Sequence, residues 1–152
     1  MVLSVTRTVR IETVFMARSQ SCRLVRETRH HVNIEATLKE AMTIDGALGA
    51  SLVDYESGMT LGALGGGPHL DLEVAGAGNT EVVRAKQRTL KSINVDDRIE
   101  DILITLGKQY HLIRPLAGAH GSLFLYLALD RERSNLALAR HNLKRLEASL
   151  EI

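Results

Sequence analysis

The sequence predicts an α/β fold of the α+β kind: a single five-stranded antiparallel sheet with helices on both faces. The predicted order is helix, strand, strand, helix, three strands, helix. Three observations carry this. Ser122–Asp130 has no polar face, because Leu123, Leu125, Leu127 and Leu129 alternate with Phe124, Tyr126 and Ala128. A strand apolar on both sides must be covered on both sides. Second, the segments Ala47–Asp54 and Met59–Leu64, and likewise Ile99–Leu106, Tyr110–Leu116 and Ser122–Asp130, are joined by short turns. Turns of that length make antiparallel neighbours. Third, helical periodicity separates and closes the two strand groups.

The elements follow in chain order. Asn33 is a candidate N-cap for a helix over Ile34–Thr43, with Ile34, Leu38, Ala41 and Met42 on one face. Asp45-Gly46 ends it. In Ala47–Asp54 small residues (Ala47, Gly49, Ser51) alternate with Leu48, Ala50 and Leu52, the pattern of a strand lying close against a helix. Glu56-Ser57-Gly58 is the turn into Met59–Leu64, and Gly65-Gly66-Gly67-Pro68 breaks the sheet. Leu70–Leu90 reads as a helix marked by Leu72, Ala75, Val82, Val83 and Leu90. Its centre, Ala75-Gly76-Ala77-Gly78, costs up to about 1 kcal/mol per glycine relative to Ala. A helix tolerates that where it sits hard on a sheet or meets another helix. After the three further strands, Arg133–Glu151 forms the last helix, with Leu136, Ala139, Leu143, Leu146 and Leu150 as its core-facing stripe.

The chain of 152 residues is one domain on size. Apolar residues make up 45% and aromatics only 3%, with no Trp, so the core is aliphatic. A lone cysteine, Cys22, excludes an internal disulfide and suits a reducing compartment, so a cytoplasmic location is expected. No apolar run reaches the roughly 18 residues of a membrane span. The net charge of +1 hides an asymmetry. Residues 1–31 carry six arginines against Glu12 and Glu27, a net of +4; residues 32–152 carry 13 basic and 16 acidic groups, a net of −3. A mildly acidic body argues against a nucleic-acid partner, since phosphate binding needs a basic surface. Three readings of residues 1–31 stay open. One is a disordered or weakly helical basic tail that touches anionic membrane or nucleic acid. Another is a transit-type peptide. The third is a start-site artefact, with the working protein beginning near Met16 or Val32.

Motifs for chemistry are weak. The cluster Gly62 to Gly67 fails as a phosphate loop: Pro68 and His69 stand where Lys and Ser/Thr are required. It is read as a flexible connector. The histidines His30, His31, His69, His111, His120 and His141 show no metal-site spacing, so neither metal nor cofactor is expected. His120 falls on a hairpin tip and His141 on the exposed face of the last helix. Ser51 and Ser122 lie inside strands without a nucleophile elbow. Glu100 and Asp101 point to opposite faces of a strand and cannot act as a pair; they read as charges that deter pairing at an edge. Arg114 has two readings, a catalytic arginine for a partner's phosphates or an ion pair with a nearby acid. No catalytic residue is assigned.

Taken together, the block Gly46–Asp54 (GALGASLVD), the turn Glu56-Ser57-Gly58, the strands Ile102–Thr105 and Tyr110–Pro115, and Asp130 followed by Asn135–Arg140 (NLALAR) resemble the roadblock/LC7 family. These are the light-chain domains of dynein regulators and of bacterial small-GTPase regulators. The resemblance covers Asn33 to Leu150 and rests on order and spacing rather than on any one motif; residues 1–31 have no counterpart. It implies the middle helix on one face of the sheet and the terminal helices on the other. It also implies a homodimer, or pairing with a related roadblock domain, through the third strand and the middle helices. The interface residues here would be Ala75, Gly78, Val82, Ile102 and Ile104. Function is then expected to be non-enzymatic: an adaptor that binds a Ras-like GTPase and tunes its nucleotide cycle, including as an activator of hydrolysis. The alternative is a purely structural scaffold for larger signalling assemblies.

Overall fold

The fold is set by which strands can be buried on both sides. In the computed structural model, which describes residues 33–117 and 121–150, the sheet runs β2-β1-β5-β4-β3 with every pairing antiparallel. Its strands are β1 (Ala47–Asp54), β2 (Thr60–Gly65), β3 (Ile102–Thr105), β4 (Gln109–Pro115) and β5 (Leu123–Asp130). The doubly apolar segment is the central strand, with Leu123 to Leu129 all buried. The helices are α1 (33–41), α2 (Leu72–Ser92) and α3 (Leu136–Ser149). Residues 1–31, including Cys22 and the pair His30-His31, lie outside the described residues, and so does His120.

Two cores follow from the alternation along the strands. On one face, α1 (Leu38, Ala41) and α3 (Ala139, Leu143, Leu146) cover Ala50, Leu52, Leu112, Leu125 and Leu127. On the other, α2 (Leu72, Val83) covers Val53, Ile113, Phe124, Tyr126 and Ala128. The expected layering is therefore present. Full burial of a leucine such as Leu143 or Leu146 is worth about 1.5–3 kcal/mol, so the α3 stripe docks that helix on its own sheet.

Element ends differ from expectation where a side chain stops or starts the backbone. Helix α2 begins at Leu72, not Leu70, because Asp71 caps it, accepting from the N–H groups of Glu73 and Val74. It continues to Ser92 and ends at Asn94, which takes a left-handed φ of 55°, while Val95 N–H returns to the Leu90 carbonyl. Helix α3 starts after Asn135, whose side chain accepts from Leu138 N–H, so Arg133 and Ser134 stay in the preceding turn. Strand β2 is Thr60–Gly65 rather than Met59–Leu64, because the Met59 carbonyl closes the turn by accepting from Asp54 N–H.

The glycine connector is tightly built, not loose. Gly65 and Gly66 both have φ near +80°, and a Cβ on either would meet backbone oxygen, Leu48 O at 2.8 Å or Leu70 O at 2.7 Å. No other residue fits there without moving β1 or the approach to α2.

Candidate interaction surface

The face of the sheet beneath α2 is only half covered. Helix α2 packs on β1 and β2, while β4 and β3 carry Ile104, Ile102 and His111 beyond its flank, each half-buried. Ala75, Ile102 and Ile104 all lie against the core beneath α2. Val82 is 37% exposed. A Cβ placed on Gly78 would meet nothing within 4 Å. Ala75, Ile102 and Ile104 thus share one core, while Gly78 and Val82 stand on the exposed side of α2. The glycines of the helix have separate tasks. Gly76 lies on the sheet, where a Cβ would come within 2.9 Å of Thr60 Oγ1 and 3.0 Å of Val53 Cγ2; Gly78 faces outward.

Sequence reasoning passed over a polar strip on this half-covered face. His111 on β4 donates from Nε2 to Gln109 Oε1 at 2.9 Å, and its Nδ1 accepts from the Tyr126 hydroxyl at 3.2 Å. The two rings meet edge to face, with centroids 5.5 Å apart. Burial lowers the His111 imidazole below its usual range. Burial also pushes the Tyr126 hydroxyl up to about 12, opposed in part by the neighbouring Asn79 amide. Asn79 is on the buried face of α2, yet its Nδ2 finds no hydrogen-bond partner of good geometry, and the same holds for Ser51 Oγ on β1. The signal was there to read. Asn79 falls at a helical interval from Leu72, Gly76 and Val83, so a polar side chain had to lie in an apolar stripe.

On the opposite face, charges anchor the segment that leads into β3. The pairing ladder begins at Ile102, so Ile99, Glu100 and Asp101 precede the strand instead of lying in it. Asp101 is not a free edge charge. It accepts from Arg140 Nε at 3.0 Å and NH2 at 2.5 Å, and stands 3.9 Å from Arg114 NH1. The hydrogen bond to Asp101 raises the Arg140 guanidinium further. Arg114, itself buried, donates from Nε to Glu147 Oε2 at 2.5 Å, and Glu147 Oε1 accepts from Ala117 N–H at 2.9 Å. Of the two readings of Arg114, the ion pair is the one present: the buried guanidinium is held by Glu147 of α3. A cleft of about 710 Å³ opens beside this cluster, between the C-terminal end of α2 and residues 95–100, with Arg114 and Glu147 in its wall. Its rim mixes Lys91 and Arg98 with Asp96, Asp97 and Glu100, without a convergent set of one charge.

Other singled-out residues are structural. Ser122 precedes β5 and donates to Asp54 Oδ1 at 2.5 Å. Asp54 also accepts from Ser57 Oγ and from the N–H groups of Glu56 and Ser57, and these bonds, Ser122 first, hold its carboxyl down to about 2. His141 is exposed on α3. Among the described residues no three His, Cys, Asp or Glu side chains gather as a metal site, and no helix is long and apolar enough to cross a membrane.

The fold recurs in solved structures. MglB of Myxococcus xanthus superposes with a TM-score of 0.70 at 18% identity, over 79% of this chain and 86% of that one. A roadblock/LC7 domain from Streptomyces avermitilis superposes with a TM-score of 0.63 at 12% identity, over 78% and 91%. The chain has the roadblock/LC7 fold. An MglB in a tetrameric arrangement superposes on this roadblock/LC7 fold with a TM-score of 0.66 at 18% identity, over 80% and 86%. No family model and no curated protein matches the sequence. The likeness is thus carried by backbone geometry rather than by residue identity.

Proposed function

We propose that this chain is a dimeric regulatory adaptor that binds a Ras-like small GTPase and modulates its nucleotide cycle, with no catalytic chemistry of its own. One observation supports this reading above the rest: a roadblock/LC7 fold whose β3 edge and adjoining α2 flank are unpartnered and apolar. Strand β3 presents Ile102, Leu103 and Ile104 with backbone groups free on one side, and α2 presents Val74, Gly78 and Val82 beside it. Exposed edges invite pairing. A second copy that extends the sheet through Ile102 and Ile104, and lays its own α2 against Ala75, Gly78 and Val82, would cover both features. The resulting doubled surface is where a GTPase would dock. With Arg114 committed to Glu147, any faster hydrolysis would not use that residue on the nucleotide.

Two measurements test this. Light scattering at micromolar concentration is expected to give twice the chain mass; a monomer would refute the dimer. GTP turnover by a Ras-like GTPase of the native host, with and without the chain, tests the regulation. Altered turnover is expected. Binding with unchanged turnover would leave the scaffold reading, and absence of binding would sink both.

A further inference from the structure

We infer that self-association of this chain is gated by a proton: the strip of Gln109, His111, Tyr126 and Asn79 lets two copies pair while its imidazole is neutral, and opposes pairing once the imidazole is charged. This rests on the dimeric reading above. The strip lies where a second copy would settle. His111 stands opposite Ile104 in the β3–β4 ladder, so the two side chains share one side of the sheet. Ile104 packs on the core beneath α2. The His111 ring is half-buried in the single chain. A partner laid over Ile104 would remove the water that still reaches it.

The hydrogen-bond order of the strip suits only the neutral ring. Gln109 Oε1 can only accept, so His111 carries its proton on Nε2, and the bare Nδ1 takes the Tyr126 hydroxyl. Tyr126 has then given its one proton away and turns an oxygen lone pair toward the Asn79 amide. A second proton on His111 must enter at Nδ1. The Tyr126 oxygen would then have to accept from the ring and send its own proton toward Asn79, whose Nδ2 is itself a donor. Two donors would meet at a side chain that is 9% exposed and already without a well-placed acceptor. Relief needs the amide to turn over or the ring to swing out. The first disturbs the seat of α2, and the second disturbs the face a partner would cover.

The charged groups around the ring do not favour the imidazolium. Strand β3 has no titratable side chain. From β5, Asp130 stands opposite Gln109, but its carboxylate already accepts from the N–H groups of Glu132 and Arg133. On β4 the neighbours on this side are Gln109 and Ile113; Arg131 lies over the Tyr110 ring, which packs in the α3-side core. Lys108, in the turn before β4, is a further cation. Helix α2 brings Asn79 and, about two turns on along the same side, exposed Lys86. Burial alone holds the ring below its ordinary range in the single chain, and the cover of a second copy would add to it. Two imidazoles per dimer must therefore stay neutral, and association weakens as pH falls.

The test uses the full chain in sedimentation equilibrium, with circular dichroism showing that it stays folded at each pH. The dissociation constant should rise about tenfold or more between about pH 7.5 and about pH 5, because two rings per dimer must shed a proton to pair. His111→Gln has no such proton to bind, so its constant should stay within about threefold over the same range, whatever its absolute value. In an NMR titration of the native chain, the His111 ring should take its proton at lower pH as protein concentration is raised, since linkage is reciprocal. The Asn79 side-chain amide should shift with the same midpoint as the ring. A pH-independent native constant, a slope that survives in His111→Gln, or an Asn79 amide that ignores the ring would overturn the gate. A native chain that is monomeric even at the alkaline end would instead refute the dimer itself.

Discussion

Alanine at Gly76 and alanine at Gly78, two residues apart on α2, should move stability in opposite directions. Both gain the same helix propensity, about 1 kcal/mol over glycine. At Gly78 nothing lies within 4 Å of the added Cβ, so the monomer keeps the whole gain. At Gly76 the Cβ arrives 2.9 Å from Thr60 Oγ1 and 3.0 Å from Val53 Cγ2. Val53 is fully buried in β1, and Thr60 opens β2 where the register shifts between Leu52 and Val53. Neither is the free end of a long chain, so α2 or the β1–β2 hairpin must give way. Overpacking of this kind costs about 1–3 kcal/mol, which leaves Gly76→Ala destabilised by roughly 0–2 kcal/mol after the propensity gain. Urea unfolding at low micromolar concentration, with each midpoint converted through a shared m-value, reads the difference directly. The expected gap between the variants is about 2 kcal/mol. Equal stabilisation of both would show that α2 does not rest on β1 and β2 as closely as the Gly76 contacts require. The dimer adds a second readout. Gly78→Leu should leave the monomer folded and weaken self-association, because the outward flank would no longer admit a close neighbour; unchanged self-association would remove Gly78 from the interface.

Arg114→Met should destabilise by about 3 kcal/mol in denaturant unfolding, because it strands Glu147 without a cation in a partly dry site; a loss under about 1 kcal/mol would mean that water already serves that carboxylate. Asp54 titrates near 2 in the folded chain and at its ordinary 3.8 when unfolded. Its contribution is therefore complete above about pH 4 and lost as pH falls through about 2, and Asp54→Asn should flatten the acid limb of a melting-temperature profile. Neutral His111 is favoured by folding, so its share of stability is present above pH 6.5, the ordinary value, and declines below it. His111→Gln should remove that slope, and an unchanged slope would place the titration elsewhere. Arg84 donates to the carbonyls of Tyr55 at 2.7 Å and Glu56 at 2.5 Å, so Arg84→Ala should speed amide exchange in the β1–β2 turn without affecting β5.

Legibility in the sequence tracked how local the deciding interaction is. The central position of β5 was readable because burial on two sides writes itself into consecutive residues, and β1 was bounded correctly because its small-large alternation ends at Asp54. The α3 stripe was readable for the same reason. The caps were harder: Asp71 and Asn135 decide where α2 and α3 begin, but Leu70 and Arg133 fit the helical period equally well. The start of β3 was not readable from the apolar pattern, which began the strand at Ile99, although the block matched by the family resemblance began at Ile102. Nothing near Asp101 reveals that Arg140, on a helix 39 residues later, will hold its carboxylate. The Asn79, Tyr126 and His111 strip is likewise a product of three separate elements meeting.

The two outer strands also show why an edge left open can still be specific. Strand β2 has α1 against Gly62, the glycine turn at one end and the Arg84-held hairpin turn at the other. Strand β3 is only four residues long and has no charged residue within it. Such a strand would normally slip when it pairs, because a short apolar row reads nearly the same in several registers. Here its approach is pinned on the α3 side by Asp101 to Arg140 and Arg114, and its exit by the Arg131 NH1 bond to the Leu106 carbonyl at 3.1 Å. With both ends held, the short row Ile102–Thr105 cannot drift relative to β4. Loosening the anchor should therefore degrade pairing before it degrades folding: at exposed Arg140, Arg140→Gln should weaken the dimer more than it lowers the unfolding midpoint of the monomer. The reverse order would show that the ion cluster serves the core alone.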